Sequence, residues 1–257
     1  MARRTSSTRE LPPPLPPEQR TVGQLVAESI RLYGSSFVRA LPLGLVVAAV
    51  NQLTLGTTRV ESGIVVLAAA PLFSLAYAYA TQLATGTRAP ARAWVVAFTV
   101  GVVVWVPTAL LFPWFALAGV LWLALVGLGV PAALVERTSF SGSLRRGLEL
   151  GRADYIHAAG ALATLVILFV LARIGLALLL ESQADNTVRV AVFLADTVLA
   201  PLLFLGGALL YVDQEARLRS RSDQRVEREE RDADLPDAHE PDREGHPDAA
   251  REPGAPA

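Results

Sequence analysis

Apolar positions crowd the middle of the chain in five or six long runs, from about position 41 to about position 212. Each is near the ~20 residues that carry a helix across a hydrocarbon core. The stretch 95–135 is about twice that length and is broken by the Phe112-Pro113-Trp114 step, so it has to turn back on itself. The pattern predicts an all-α, polytopic membrane helix bundle with six transmembrane helices. Their expected bounds are 37–56, 63–85, 94–112, 114–135, 155–180 and 188–212. Trp94 and Trp114 suit interfacial anchors, whereas Trp105 and Trp122 fall mid-span and read as packing residues.

Two amphipathic segments lead into the first and fifth spans. Thr21-Val-Gly-Gln24 has the form of a capping box. Val22, Leu25, Val26, Ser29, Ile30 and Tyr33 follow at helical spacing, with Gln24, Glu28 and Arg31 opposite, which predicts a cytoplasmic interfacial helix lying flat. The second segment sets Phe140, Leu144 and Leu148 on one side and Arg145, Glu149 and Arg152 on another. A shift of 118 positions matches Val22/Phe140, Val26/Leu144, Ile30/Leu148, Leu32/Leu150 and Phe37/Tyr155. A shorter basic lead-in, 86–92, precedes the third span. Three hairpins introduced from one side read as a degenerate parallel repeat, with chance matching of apolar residues as the alternative.

Arg placement orients the spans. One side holds the Arg residues between 3 and 39, then Arg88 and Arg92, those from 137 to 152, and those from 217 to 231. The other side holds only Arg59 and Arg189. That asymmetry puts both termini in the cytoplasm and requires an even number of crossings of the plasma or inner membrane. No cleavable signal is expected, because some forty polar and Pro-rich residues precede the first apolar run.

Composition narrows the chemistry. The 257 residues are 52% hydrophobic with mean hydropathy +0.40 and a net charge of −1, but the charges sit at the ends and in the connections. No basic face carries interleaved aromatics, so nucleic acid is not an expected partner. The absence of Cys excludes disulfides, thiolate metal sites and thiol nucleophiles. All 23 basic residues are Arg, which fits codon bias rather than function. The Pro-rich segment 1–20, with polyproline II character at 11–17, is expected to be a stiff, disordered lead-in. The segment 220–257, with six Arg against twelve Asp and Glu, is expected to be a disordered tail.

No phosphate-cradling glycine loop, zinc-protease helix or nucleophile elbow occurs, and neither a metal nor a cofactor is expected. His157 begins the fifth span and reads as an amphipathic residue. The sharpest signal is Arg173 with Asp196, placed about 10 and 12 Å inside the outer ends of the fifth and sixth spans by the helical rise, and so at one depth. A lone charge at that depth costs several kcal/mol, so the two are expected to pair, as a structural clamp or as a substrate or ion site. Asn51 and Gln52 lie in the same half and are candidates for the same cluster. Arg31, Arg39, Arg145, Arg146 and Arg152 are the candidate contacts for anionic headgroups on the cytoplasmic side.

The stretch from Val22 to Tyr33 carries Val-Gly-Gln-Leu-Val-Ala-Glu-Ser-Ile-Arg-Leu-Tyr. Val130-Pro-Ala-Ala-Leu-Val-Glu136 is followed by Gly142-Ser-Leu-Arg-Arg-Gly-Leu-Glu-Leu150, and Leu210-Tyr-Val-Asp-Gln-Glu-Ala-Arg217 comes last. With these motifs the chain resembles the prokaryotic membrane proteins grouped with the membrane domain of glycerophosphoryl diester phosphodiesterases. The resemblance implies a six-helix membrane module over about 21–219 without the soluble catalytic barrel, and it carries over no catalytic residue. The expected function is a non-catalytic scaffold or a module that binds a partner or lipid. The alternative is a transporter or lipid-handling protein that uses the polar cluster. A water-accessible cavity reaching Arg173 and Asp196 would mark the alternative, whereas sealing of both charges by packing would mark the scaffold.

Overall fold

The computed structural model describes residues 16–234, without the side chains at 18, 230 and 232–234. It is an all-α helical membrane bundle. After a short 3-10 turn at Pro17–Gln19 come α1 (Val22–Ser35), α2 (Phe37–Leu53), α3 (Arg59–Ala68), α4 (Ala70–Thr85), α5 (Ala91–Leu111) and α6 (Ala116–Val126). They are followed by α7 (Gly129–Val135), α8 (Phe140–Ala153), α9 (Tyr155–Leu179), α10 (Asp185–Leu199) and α11 (Pro201–Asp234). Chain packing divides the molecule into two units, Met1–Arg219 and Ser220–Ala257.

Four helical runs are long and apolar enough to cross a membrane by themselves: Ala91–Leu111, Ala116–Val135, Tyr155–Leu179 and Asp185–Glu229. Two more qualify only as bent pairs, α1 with α2 at 110° and α3 with α4 at 52°. The first expected span ends early, since α2 stops at Leu53. Its 17 residues rise about 25 Å. Two breaks in the helices have the same local cause. Pro71 and Pro201 have no N–H to offer the carbonyls of Leu67 and Thr197, and the chain breaks just before each, at Ala69 and Ala200. The reversal after α5 falls at Phe112-Pro113-Trp114, where the amides of Trp114 and Phe115 both turn back to the Leu111 carbonyl.

Two terminal boundaries are corrected. The tail expected to be disordered from Ser220 is helical as far as Asp234. No Gly or Pro falls between 207 and 236, and Arg225/Glu229 and Glu227/Arg231 stand at the four-residue spacing that supports a helix. At the other end, the turn Pro17–Gln19 is ordered and Arg20 is tied into the bundle. The remainder of both expected disordered segments, 1–15 and 235–257, lies outside the described residues.

The spans form a ring. α2 packs on α4, α4 on α5, α5 on α6 and α7, α6 on α9, α9 on α10, and α10 back on α2. A contact between α4 and α7 crosses this ring at the end where most Arg residues collect. Inside it, Phe73, Trp105 and Phe204 meet with ring centroids 5.1 to 6.4 Å apart. Trp122 instead donates its indole N–H to the Val104 carbonyl across the α5–α6 hairpin at 3.0 Å.

The 118-residue shift reappears in three dimensions. It takes N-cap Thr21 to N-cap Ser139, α1 (Val22–Ser35) to α8 (Phe140–Ala153), and the first residue of α2 to that of α9. The buried positions also correspond: Leu25, Ser29 and Tyr33 on α1 fall on Ser143, Gly147 and Gly151 on α8. Each helix lies on a neighbouring hairpin of the ring, α1 against α9 and α8 against α6 and α7. The stripe Phe140, Leu144 and Leu148 singled out in the sequence is therefore not the deepest face of α8. The small-residue stripe beside it is, because only small residues let two helices approach so closely. A Cβ at Gly147 would stand 2.5 Å from the backbone nitrogen of Gly129.

Backbone meets backbone closely between α2 and α10, where a Cβ at Gly44 would collide with the carbonyl oxygen of Thr197. Gly44→Ala should therefore destabilise the protein by about 1–3 kcal/mol through overpacking of backbone against backbone. Gly175→Ala, on a helical position with nothing within 4 Å of the new Cβ, should be neutral or stabilising by up to about 1 kcal/mol. Thermal unfolding of the two variants in the same mild detergent gives the comparison. Equal melting temperatures would contradict the close approach.

Candidate functional site

The helix order brings three of the four predicted cluster residues together. Asp196 on α10 faces α2 and α9, and its side chain is 0% exposed. The amide of Asn51 donates to its Oδ2 at 2.8 Å. Nε of Arg173 stands 3.1 Å from its Oδ1 as an ion pair, without the alignment of a good hydrogen bond. The guanidinium also lies over the ring of Phe169, 5.8 Å from its centroid. Gln52 goes elsewhere, donating to the Arg189 carbonyl at 3.0 Å and so tying the end of α2 to α10.

Arg173 differs from Asp196 in one respect: its side chain is 31% exposed. It forms part of the wall of a cavity of about 390 Å³ within the ring. Most of the wall is apolar and comes from nearly every span, including Val47 and Val50 of α2, Trp105 of α5, Val120 and Leu123 of α6, and Phe204 of α11. Polar groups collect at one end, where Asn51, Thr54, Ser62 and Arg173 stand near the α2–α3 connection. Tyr77, whose hydroxyl donates to the Gly207 carbonyl at 3.2 Å, marks the depth of the bundle. α9 is loosely packed in its outer half: beyond Leu165 none of its residues is buried, and Val170 lines the cavity while 41% exposed. A smaller void of about 80 Å³ adjoins it between α1, α9 and the α10–α11 break, sharing Leu165, Phe169 and Leu203 with the main cavity.

A second polar cluster, at the Arg-rich end, is not apparent as such in the sequence. Asp213, fully buried, receives Nη1 of Arg20 at 3.0 Å. Arg217 donates to Asp154 Oδ2 at 2.8 Å and to the Arg20 carbonyl at 2.7 Å. Asp154 in turn caps α9 by accepting the His157 amide. Beside them Glu136 accepts from Arg146 at 2.9 Å and from the Tyr211 hydroxyl at 3.1 Å. These bonds tie the start of α1, the α8–α9 joint and α11 together. The four-residue spacing of Asp213 and Arg217 suggests a surface pair of one helix; both in fact reach across to other elements.

The expected headgroup contacts separate into two groups. Arg31 pairs with Glu28 at 2.6 Å and Arg145 with Glu149 at 3.0 Å, both exposed. Arg146 is engaged by Glu136: burial works against its charge, but the Glu136 hydrogen bond and charge hold the guanidinium above its ordinary range. Arg39 and Arg152 are exposed and have no ion pair among the described residues. Among the same residues no group of three or more His, Cys, Asp or Glu is placed to hold a metal.

Removing one partner of a buried pair strands the other. Asp213→Ala should cost about 3–5 kcal/mol by leaving Arg20 unpaired, whereas Arg145→Ala on the surface should cost less than about 1 kcal/mol. Melting temperatures in detergent test the contrast, and a mild Asp213→Ala would show that water reaches the Arg20 guanidinium once the carboxylate is gone. Comparison with family models, with curated proteins and with solved structures finds no match to this chain.

Proposed function

We propose that the protein is a lipid-handling membrane protein that takes the apolar chain of a bilayer amphiphile into its helix ring. The observation that carries the reading is the cavity of about 390 Å³, apolar along most of its wall and polar at one end. Its size falls within the range of about 300–1,000 Å³ typical of sites for small organic ligands. Such a bore suits a hydrocarbon chain better than a hydrated solute, which would find few partners along its length. We place a lateral path along the outer half of α9, where Val170 is both exposed and part of the cavity wall, so that the chain need not pass through water. We prefer this reading to a scaffold because a scaffold was expected to seal both intramembrane charges, and only Asp196 is sealed. The resemblance to the phosphodiesterase-associated membrane modules fits a lipid environment and adds no residue to the site.

We place the protein in the cell membrane with both termini and α8 in the cytoplasm, on the distribution of Arg across the connections. In this arrangement Arg39 and Arg152 face anionic headgroups, and the polar end of the cavity lies in the outer leaflet. Arg88→Cys and Arg152→Cys should then resist a membrane-impermeant maleimide in intact cells, while Arg59→Cys and Gln183→Cys react. The native chain has no Cys, so labelling has no background. The reverse pattern would invert the topology.

The chain-binding reading predicts that the protein purified in mild detergent retains lipid, visible by native mass spectrometry. Filling the bore with Val66→Phe together with Val120→Phe should remove most of that lipid and leave the melting temperature within a few degrees. Retention unchanged by the filled bore would place the lipid on the outer surface and defeat the proposal.

A further inference from the structure

We infer that Arg173 selects the ligand of this cavity, and that the ligand is an amphiphile whose head is an oxyanion, a carboxylate or a phosphate. The inference rests on the chain-binding reading above and assigns the head. A guanidinium carries about five N–H donors and no acceptor. One of them, on Nε, faces Asp196. The Nη groups have no hydrogen-bond acceptor among the described residues. What this edge lacks is acceptor oxygens, and its planar fork matches a carboxylate or phosphate in two parallel bonds.

The surroundings narrow the choice. Asp196 is outside the cavity wall, fully buried, with one oxygen on Asn51 and the other facing Arg173. It therefore orients the guanidinium without offering the ligand a carboxylate. Phe169 supports the guanidinium from below. The nearby hydroxyls are already directed: Thr54 donates to the Asn51 carbonyl at 2.9 Å, and Ser62 shares a 2.7 Å hydrogen bond with Thr57. A cationic head would find no carboxylate in the wall and would meet Arg173 directly. Beside the neutral Arg173–Asp196 pair a carboxylate leaves one net negative charge and a phosphate monoester up to about two. Partial exposure of Arg173, about 10 Å from the end of α9, keeps that charge within reach of the headgroup layer.

The test uses the full chain, delipidated and reconstituted in nanodiscs of neutral phosphatidylcholine, with chain-matched probes: palmitate, hexadecyl phosphate, hexadecanol and hexadecyltrimethylammonium. Inorganic phosphate is a fifth arm. Palmitate and hexadecyl phosphate should bind about tenfold or more tighter than hexadecanol, the size of a charge-assisted hydrogen bond. Arg173→Gln should abolish that preference, bringing the ratio of palmitate to hexadecanol affinity close to one. The wild-type comparison needs no variant, so it stands even if Arg173→Gln fails to fold. Equal binding of hexadecanol or the ammonium probe by the wild type overturns headgroup selection and leaves the chain reading intact. Inorganic phosphate competing as well as hexadecyl phosphate would make this a site for a soluble anion and overturn the inference. If none of the amphiphiles binds, or the filled-bore variant binds them all, the chain reading itself fails.

Discussion

The seam between α2 and α10 closes the ring, and the cavity and its charged end both depend on it. Within lipid, two apolar helices gain little by hiding from the solvent, so association relies on close packing and on polar groups that find partners. Both occur here along one line. Gly44 lets the α2 backbone meet the Thr197 carbonyl, which Pro201 leaves without its usual helical donor. Farther along, Asn51 binds Asp196 and Gln52 binds the Arg189 carbonyl. The same Asp196 then reaches Arg173, so the contact that joins the first hairpin to the last also fixes the one charged group that the described residues place in the cavity wall.

The opposite end is organised by shape and by charge together. α1 and α8 present small or buried residues at equivalent positions, and each rests on a neighbouring hairpin rather than only on its own span. Their Arg residues follow different courses. Arg146 and Arg217 are consumed by internal carboxylates, while Arg39 and Arg152 remain at the surface. The clasp of Arg20 with Asp213 ties the chain before the first helix to the last one. The ring is thus tight at this end, where α4 and α7 cross it, and open inside toward the other. This asymmetry leaves the cavity apolar along most of its wall and polar at one end.

Much of this architecture is written in the chain. Run lengths determine that the molecule is a membrane bundle, because a hydrocarbon slab of about 30 Å accepts little else. Phe112-Pro113-Trp114 sets the sharp reversal, Thr21 and Gln24 set the first cap, and the depth match of Arg173 with Asp196 follows from counting residues along two joined helices. These are local or one-dimensional constraints, readable without a partner. The helical extension to Asp234 was equally local, in the i, i+4 charge spacing, but composition pointed to disorder instead.

Tertiary structure decided the rest. Gln52 and Asn51 are adjacent in sequence, yet helical rotation sends one to the Arg189 carbonyl and the other to Asp196. Asp213 and Arg217 have the spacing of a helix-surface pair, yet their partners lie 193 and 63 residues away. The burial of Gly147 and Gly151 instead of Leu144 and Leu148 depends on which neighbour α8 meets. The cavity is the extreme case: a void is the space that residues from α2 to α6, α9 and α11 fail to fill, and no single segment encodes it. Sequence determined which segments cross the membrane because transfer into lipid is a sum over each segment. Only the packing of those segments against one another determined where a charge faces a cavity and where it is sealed.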